Sequence, residues 1–152
     1  MKRWQKYYQI TALDEYTRKR VLRIADEKST YQTAKFLENL EKELGFDIKK
    51  VQTDNGKEFT NSESDKKTLF ELKLEEKGIE YGTTRPYSPW ENGKVERSYR
   101  FDSKYYTDKK FKSKEELLRS IKKYNTRYNN ISRKVLGFKS PNEVLKEYKK
   151  NH

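Results

Sequence analysis

The side chains of this chain that could do chemistry are carboxylates. There is no cysteine, and the single histidine, His152, is the last residue. Thiolate catalysis, disulfides and Cys-type zinc sites are excluded. A Ser-His-Asp triad or a His-ligated metal has little to build on. A metal held by this sequence would be held by oxygen, which points to a hard cation, Mg²⁺ or Mn²⁺. Two acids stand out. Asp54 lies in VQTDNGKEFTN (51–61) and Glu96 lies in a basic stretch with Lys94, Arg97 and Arg100. Asn55-Gly56 after Asp54 is a strong hairpin signal, because both residues tolerate positive φ. A hairpin also needs a second strand, and Lys57–Ser64 carries only one large apolar residue, Phe59. The turn therefore reads as strand-to-loop. It leaves Asp54 at the C-terminal end of a strand, where open α/β sheets place their ligands. Glu96 has two readings on its own residues. It forms surface ion pairs, which are worth little, or it holds a cation against a phosphate that the neighbouring basic groups also contact.

The elements that must position these acids follow from periodicity. Tyr7–Leu13 and Arg18–Ala25 read as strands around the polar turn Asp14–Thr17. Residues 29–46 read as a helix with Ser29 or Thr30 as cap, Ala34, Leu37, Leu40 or Glu41, and Leu44 along one face, and Gly45 at the end. Residues 47–54 form a short strand, expected in one mixed sheet with the opening strands. A helix over 64–78 would bury Leu69, Leu72 and Leu74 or Glu76, and 79–84 is another short strand. Residues 85–100 begin as loop and end as helix, with Asn92 and Arg100 one turn from Glu96 on the same face. Two more helices open at SKEE (113–116) and SPNE (140–143), both matching the capping box, the second with Pro141 at the first helical position.

The formal net charge is +12 over 152 residues. Residues 1–84 carry 17 Lys/Arg against 16 Asp/Glu, whereas residues 85–152 carry 19 against 8. A basic half beside a neutral half suggests a polyanionic partner, most often nucleic acid, against the bland alternative of a lysine-rich solvated surface. Leu, Ile, Val and Phe make up 30 residues, about a fifth of the chain, close to the composition at which charged sequences stay unfolded. No apolar run approaches the ~18 residues of a membrane span and no signal peptide is visible. A cytoplasmic, nucleoid-associated protein without a membrane partner is expected.

Taken together, TDNGKEFTN (53–61), GIEYGTTRPYSPWENGKVERSYR (78–100) and GFKSPNEVL (137–145) resemble the catalytic core of the retroviral-integrase superfamily, as in bacterial insertion-sequence transposases with an Asp-Asp-Glu active site. The resemblance covers essentially the whole chain. It implies an α/β, ribonuclease-H-like fold, a mixed sheet flanked by helices, and a Mg²⁺- or Mn²⁺-dependent polynucleotidyl transferase. By resemblance Asp54 is the second catalytic, metal-binding acid and Glu96 the third. Asn92, Lys94, Arg97 and Arg100 would lie near the DNA backbone. The 41 residues between the two acids exceed the spacing that names the retroviral members. The family places its first catalytic Asp on a strand before Tyr7, where only MKRWQK stands here. The expectation is a core that lacks its first, central strand and is impaired alone. Asp14, a turn residue, is not expected to take that place. Residues 1–112 would be the partial core and 113–152 its basic helical extension. A homo-oligomer or a complementing transposase chain is implied. The rival reading is a non-catalytic basic DNA-binding module, a truncated regulator or remnant.

Overall fold

A computed structural model describes residues 6–61, 63–84, 93–107 and 109–152; for residues 93–97, 99 and 101 it describes the backbone only. The order is β1 (Tyr8–Leu13), β2 (Arg20–Ala25), α1 (Thr30–Leu44), β3 (Lys50–Thr53), α2 (Leu69–Glu76), β4 (Glu80–Thr83), α3 (Gly93–Thr107), α4 (Lys114–Asn130), a 3-10 turn (Lys134–Leu136) and α5 (Pro141–Asn151). The chain divides into two compact units, Met1–Ile10 with Arg23–Gly93, and Thr11–Leu22 with Lys94–His152. The β1–β2 pair contributes to both. The expected mixed sheet comes in two pieces among the described residues, β1 paired with β2 and β3 paired with β4.

In the first unit, α1 starts where Ser29 accepts the Gln32 amide and stops at Gly45, whose left-handed φ of 88° lets its N–H reach the Glu41 carbonyl. Ala34, Leu37, Leu40 and Leu44 are buried as the periodicity requires, together with Thr33. The helix packs on α2. Here the expected face is corrected. Phe70 and Leu74 are buried, while Leu69 and Leu72 remain 48% and 47% exposed. The Phe70 ring meets Phe59 and Tyr81 edge-on, with centroids at 5.2 and 5.7 Å, and its amide donates to Thr30 Oγ1 at 3.0 Å. These contacts rotate α2 away from its leucine stripe. The helix also begins later than expected, capped by Thr68, because Ser64 Oγ instead accepts the Lys66 amide in a local turn. Each fully buried Leu or Phe stabilises by roughly 1.5–3 kcal/mol.

In the second unit, Val21, Leu22, Leu117, Ile121 and Leu145 are buried, and α4 packs on α5. Ser140 forms the complete capping box with Glu143. Ser113 makes half of one. It accepts the Glu116 amide, but the Glu116 carboxylate takes the Lys112 N–H at 2.7 Å rather than that of the cap.

Candidate active site

β3 and β4 run parallel, in register from Lys50 opposite Glu80 to Thr53 opposite Thr83. The pairing extends one step further, where Thr84 N–H donates to the Thr53 carbonyl at 2.9 Å. Asp54 follows directly on this last ladder contact, exposed at the strand's C-terminal end. Its Oδ1 accepts the Gly56 N–H at 2.9 Å, an Asx turn that orients the carboxylate. Asn55 Nδ2 donates to the Thr84 carbonyl at 3.2 Å, and the Gly56 carbonyl accepts the amides of Phe59 and Thr60 at 3.0 Å. The chain thus turns into a loop and not into a hairpin, as the poor strand character of 57–64 implied.

Below Asp54, Thr53 Oγ1 donates to the Asp54 carbonyl at 2.8 Å and lies 2.6 Å from the Tyr81 hydroxyl. The Tyr81 hydroxyl is pushed up from its ordinary value, chiefly by burial. The Thr53 hydrogen bond opposes this, and the negative charges of Glu71, Asp54 and Glu58 add to it. Sequence reading missed Glu58. Its carboxylate folds back against Gly56, so that a Cβ there would lie 2.6 Å from it, and it sits 3.8 Å from Lys28 Nζ. Its carbonyl accepts Thr33 Oγ1 at 2.5 Å, which ties the turn to α1. The spacing of Glu58 four residues after Asp54 was the available signal. Asp14 closes the β1–β2 turn, where its Oδ2 accepts both the amide and the hydroxyl of Thr17, at 2.8 and 2.7 Å.

Glu96 lies in the first turns of α3, with Lys94 and Arg97 on the same helix and Arg100 exposed one turn on. The side chains of Glu96, Lys94 and Arg97 are outside the description, and Asn92 lies outside the described residues altogether. Asp54 belongs to the first unit, and Glu96 and Arg100 to the second.

What holds α3 in its own unit is a buried polar cluster that sequence reading also missed. Arg20, at the start of β2, is fully buried and donates to Asp102 Oδ1 of α3 at 2.8 Å. Its guanidinium lies over the rings of Tyr128 and Tyr124, at 3.8 and 5.2 Å. Its backbone is clamped by α4: the N–H donates to Asn129 Oδ1 at 2.8 Å, and the carbonyl accepts from Asn125 and Asn129 at 2.9 and 2.8 Å. Burial, then the Asp102 charge, pushes the Tyr106 hydroxyl far above the usual tyrosine range. Asn125 and Asn129 of YNTRYNN (124–130) lie one turn apart on α4, which is the spacing that lets both reach Arg20.

The donor chemistry fits a hard cation, since Asp54 offers carboxylate oxygens and the chain has no thiolate. Among the described residues no group of three His, Cys, Asp or Glu gathers as a metal cage.

The parallel strand pair presents an acid beyond its C-terminal end, and a helix bearing a second acid follows along the chain. Two family models, each described as "Integrase core domain", match residues 1–89 and 77–134. The chain is 32% identical over 153 residues to a protein named "Putative integrase ORF3" from Spiroplasma virus SpV1-C74; the match covers 93% of this chain and 42% of that protein. The simian T-cell lymphotropic virus intasome in complex with PP2A regulatory subunit B56 gamma superposes with a TM-score of 0.69 at 19% identity, over 91% of this chain and 48% of that one. The crystal structure of the catalytic core domain of BIV integrase gives 0.67 at 22% identity, over 99% and 94%. The chain belongs to the integrase core domain family and has its ribonuclease-H-like fold. It spans less than half the length of the viral relative it matches.

Proposed function

We propose that this chain is the acid-bearing part of a DNA integrase or transposase core that cuts and joins DNA phosphodiesters. The observation that carries the reading is Asp54 in the TDNG element, aimed outward at the end of a parallel strand pair by the Gly56 amide, in a chain of the integrase core family. Asp54 and Glu96 are the residues that would hold Mg²⁺ or Mn²⁺. A divalent ion bound there would activate the attacking oxygen and take up charge on the phosphate. Arg100 is exposed, and with Lys94, Arg97 and Asn92 it would contact backbone phosphates, which position DNA without reading its sequence. Residues 113–152 extend this core as basic helices. The polypeptide of 152 residues, with two assigned acids, is proposed to nick DNA weakly alone and to need further copies or a complementing transposase chain for joining. No helix among the described residues is long and apolar enough to cross a membrane; a place on the nucleoid is proposed from the DNA reading alone.

Nicking of supercoiled plasmid in Mn²⁺, compared between the wild type and Asp54→Asn, tests this. Weak nicking lost in the variant, with DNA binding kept, is the expected result. Equal nicking by both removes Asp54 from the reaction. The uneven charge, 19 Lys/Arg against 8 Asp/Glu in residues 85–152, favours one second reading, a DNA-binding module without catalysis. That reading is supported if neither protein nicks and both bind DNA in a salt-sensitive way.

A further inference from the structure

Between Glu116 and Glu143 the chain has seven basic residues and no acid. Two of the seven are engaged. Arg133 lies over the Tyr128 ring at 3.8 Å, and Lys139 Nζ pairs with Glu147 at 2.7 Å. The other five, Arg119, Lys122, Lys123, Arg127 and Lys134, are exposed and have no ion pair among the described residues. Arg119, Lys123 and Arg127 follow at intervals of four, so they line one face of α4 over about 12 Å.

Of the large apolar side chains this segment exposes, Leu118, Ile131, Val135 and Phe138, the last two stand furthest into solvent, Val135 at 69% exposure and Phe138 at 72%. Scattered exposed apolar residues are ordinary, but these sit on a rigid loop. Arg133 N–H donates to the Lys139 carbonyl at 3.0 Å, Leu136 and Phe138 donate back to the Arg133 carbonyl at 3.0 and 2.9 Å, and Gly137 donates to the Lys134 carbonyl at 3.0 Å. The Arg133 side chain fastens the loop to α4 through the Tyr128 carbonyl at 3.1 Å, and the capped start of α5 fastens the other end. Phe138 also has φ of 66°, a left-handed conformation that strains a bulky residue. The fold therefore tolerates strain and forgoes burial to hold an aromatic ring outward beside exposed cations.

We propose that Val135 and Phe138 form an apolar wedge that packs against DNA base faces while the exposed cations of α4 hold the flanking phosphates. Charge selects this occupant, because five exposed cations without an ion pair among the described residues repel a second copy of the same surface and attract a polyanion. Flat base faces meet aromatic side chains favourably in any sequence, and apolar wedges at a base step accompany phosphate contacts in DNA benders. The proposal rests on the DNA reading above and adds contact residues other than Asp54, Glu96 and the basic residues around Glu96.

The test uses the full chain and a duplex carrying 2-aminopurine, with binding followed by anisotropy across a salt series. Wild type should bind and raise 2-aminopurine fluorescence as bases unstack. Val135→Ala/Phe138→Ala, which alters only exposed side chains, should bind roughly 5- to 100-fold more weakly, without the fluorescence rise and with an unchanged salt slope. Lys122→Ala/Lys123→Ala/Arg127→Ala should lower the slope of log K against log salt by about 3. Wild-type affinity and fluorescence in the Val135/Phe138 variant overturn the wedge and leave the DNA reading intact. No duplex binding by the wild type at about 50 mM salt overturns both. Loss of self-association instead of DNA affinity in the wedge variant assigns the knob to a protein contact and also overturns the proposal.

Discussion

Asp102→Ala should destabilise the second unit severely, and the structure sets the scale. The Arg20 side chain has 0% exposure and that of Asp102 has 6%, and they meet at 2.8 Å. Removing one partner of such a pair leaves a buried charge uncompensated, at a cost of about 3–5 kcal/mol. The Tyr128 ring beneath the guanidinium retains about 2 kcal/mol of cation–π attraction, so the lower end of that range is expected. Against a total stability of about 5–15 kcal/mol, and with a urea dependence of about 1–3 kcal/mol per molar, the unfolding midpoint should fall by more than about 1 M. Asp102→Asn should cost less, since its amide oxygen can still accept from Arg20. One Arg20 amino group, Nη2, has no hydrogen-bond partner among the described residues, so the pair is incompletely satisfied. An apolar replacement of both partners, Arg20→Met with Asp102→Leu, should therefore lie much nearer the wild type than either single change. Urea unfolding followed by circular dichroism reads the cycle, and hydrogen exchange of the α3 amides shows whether Glu96's helix loosens with it. A cost below about 1 kcal/mol for Asp102→Ala, or a double variant as damaged as the sum of the singles, would refute the argument.

Three further outcomes follow from other sites. Tyr81, Tyr106 and Tyr124 all have hydroxyls raised above the ordinary value of 10.0, burial being the largest cause in each. The folded chain holds these protons more tightly than the unfolded one, so their contribution to stability is constant below pH 10 and falls as pH rises beyond it; Tyr106→Phe should flatten that fall in an alkaline unfolding series. Ser140→Ala removes the hydroxyl that accepts the Glu143 amide at the start of α5 but keeps the backbone N–H that donates to the Glu143 carboxylate, and should lower stability by about 1 kcal/mol in thermal or urea melts. Gly56→Ala should be tolerated to within about 1 kcal/mol. Gly56 is not among the glycines of positive φ, and the three atoms nearest the new Cβ all belong to the Glu58 carboxylate, which can swing away at the expense of its 3.8 Å Lys28 pair. The shift should be visible in the Lys28 side-chain NMR signals.

Local signals were legible where one residue decides the geometry. Ser29 and Gly45 bounded α1, the Ser140 box bounded α5, and the weak strand after Asn55-Gly56 excluded a hairpin, which left Asp54 at the strand end. Contacts between distant segments were not legible. Phe70 outranked the leucine stripe of α2 because Phe59 and Tyr81 lie on its side. Arg20 read as one charged residue in a strand, and only the fold brings α3 and α4 around it, 82 and 109 residues along the chain. The pairing of β3 with β4 rather than with the opening strands likewise depends on packing that strand patterns do not carry. At the site, the motif marked Asp54 and Glu96 and the spacing offered Glu58, while the support from Thr53 and Tyr81 had no pattern of its own.

Whether Asp54 and Glu96 serve one reaction is tested most directly by a double-variant cycle on plasmid nicking in Mn²⁺, with the wild type, Asp54→Asn, Glu96→Gln and the two combined. Residues that serve one reaction as a unit are strongly non-additive. Each single change should abolish the wild-type nicking, the double variant should be no worse, and all four proteins should bind DNA. Nicking undiminished by either substitution, or none from a wild type that binds DNA, would contradict a shared catalytic role for the two acids.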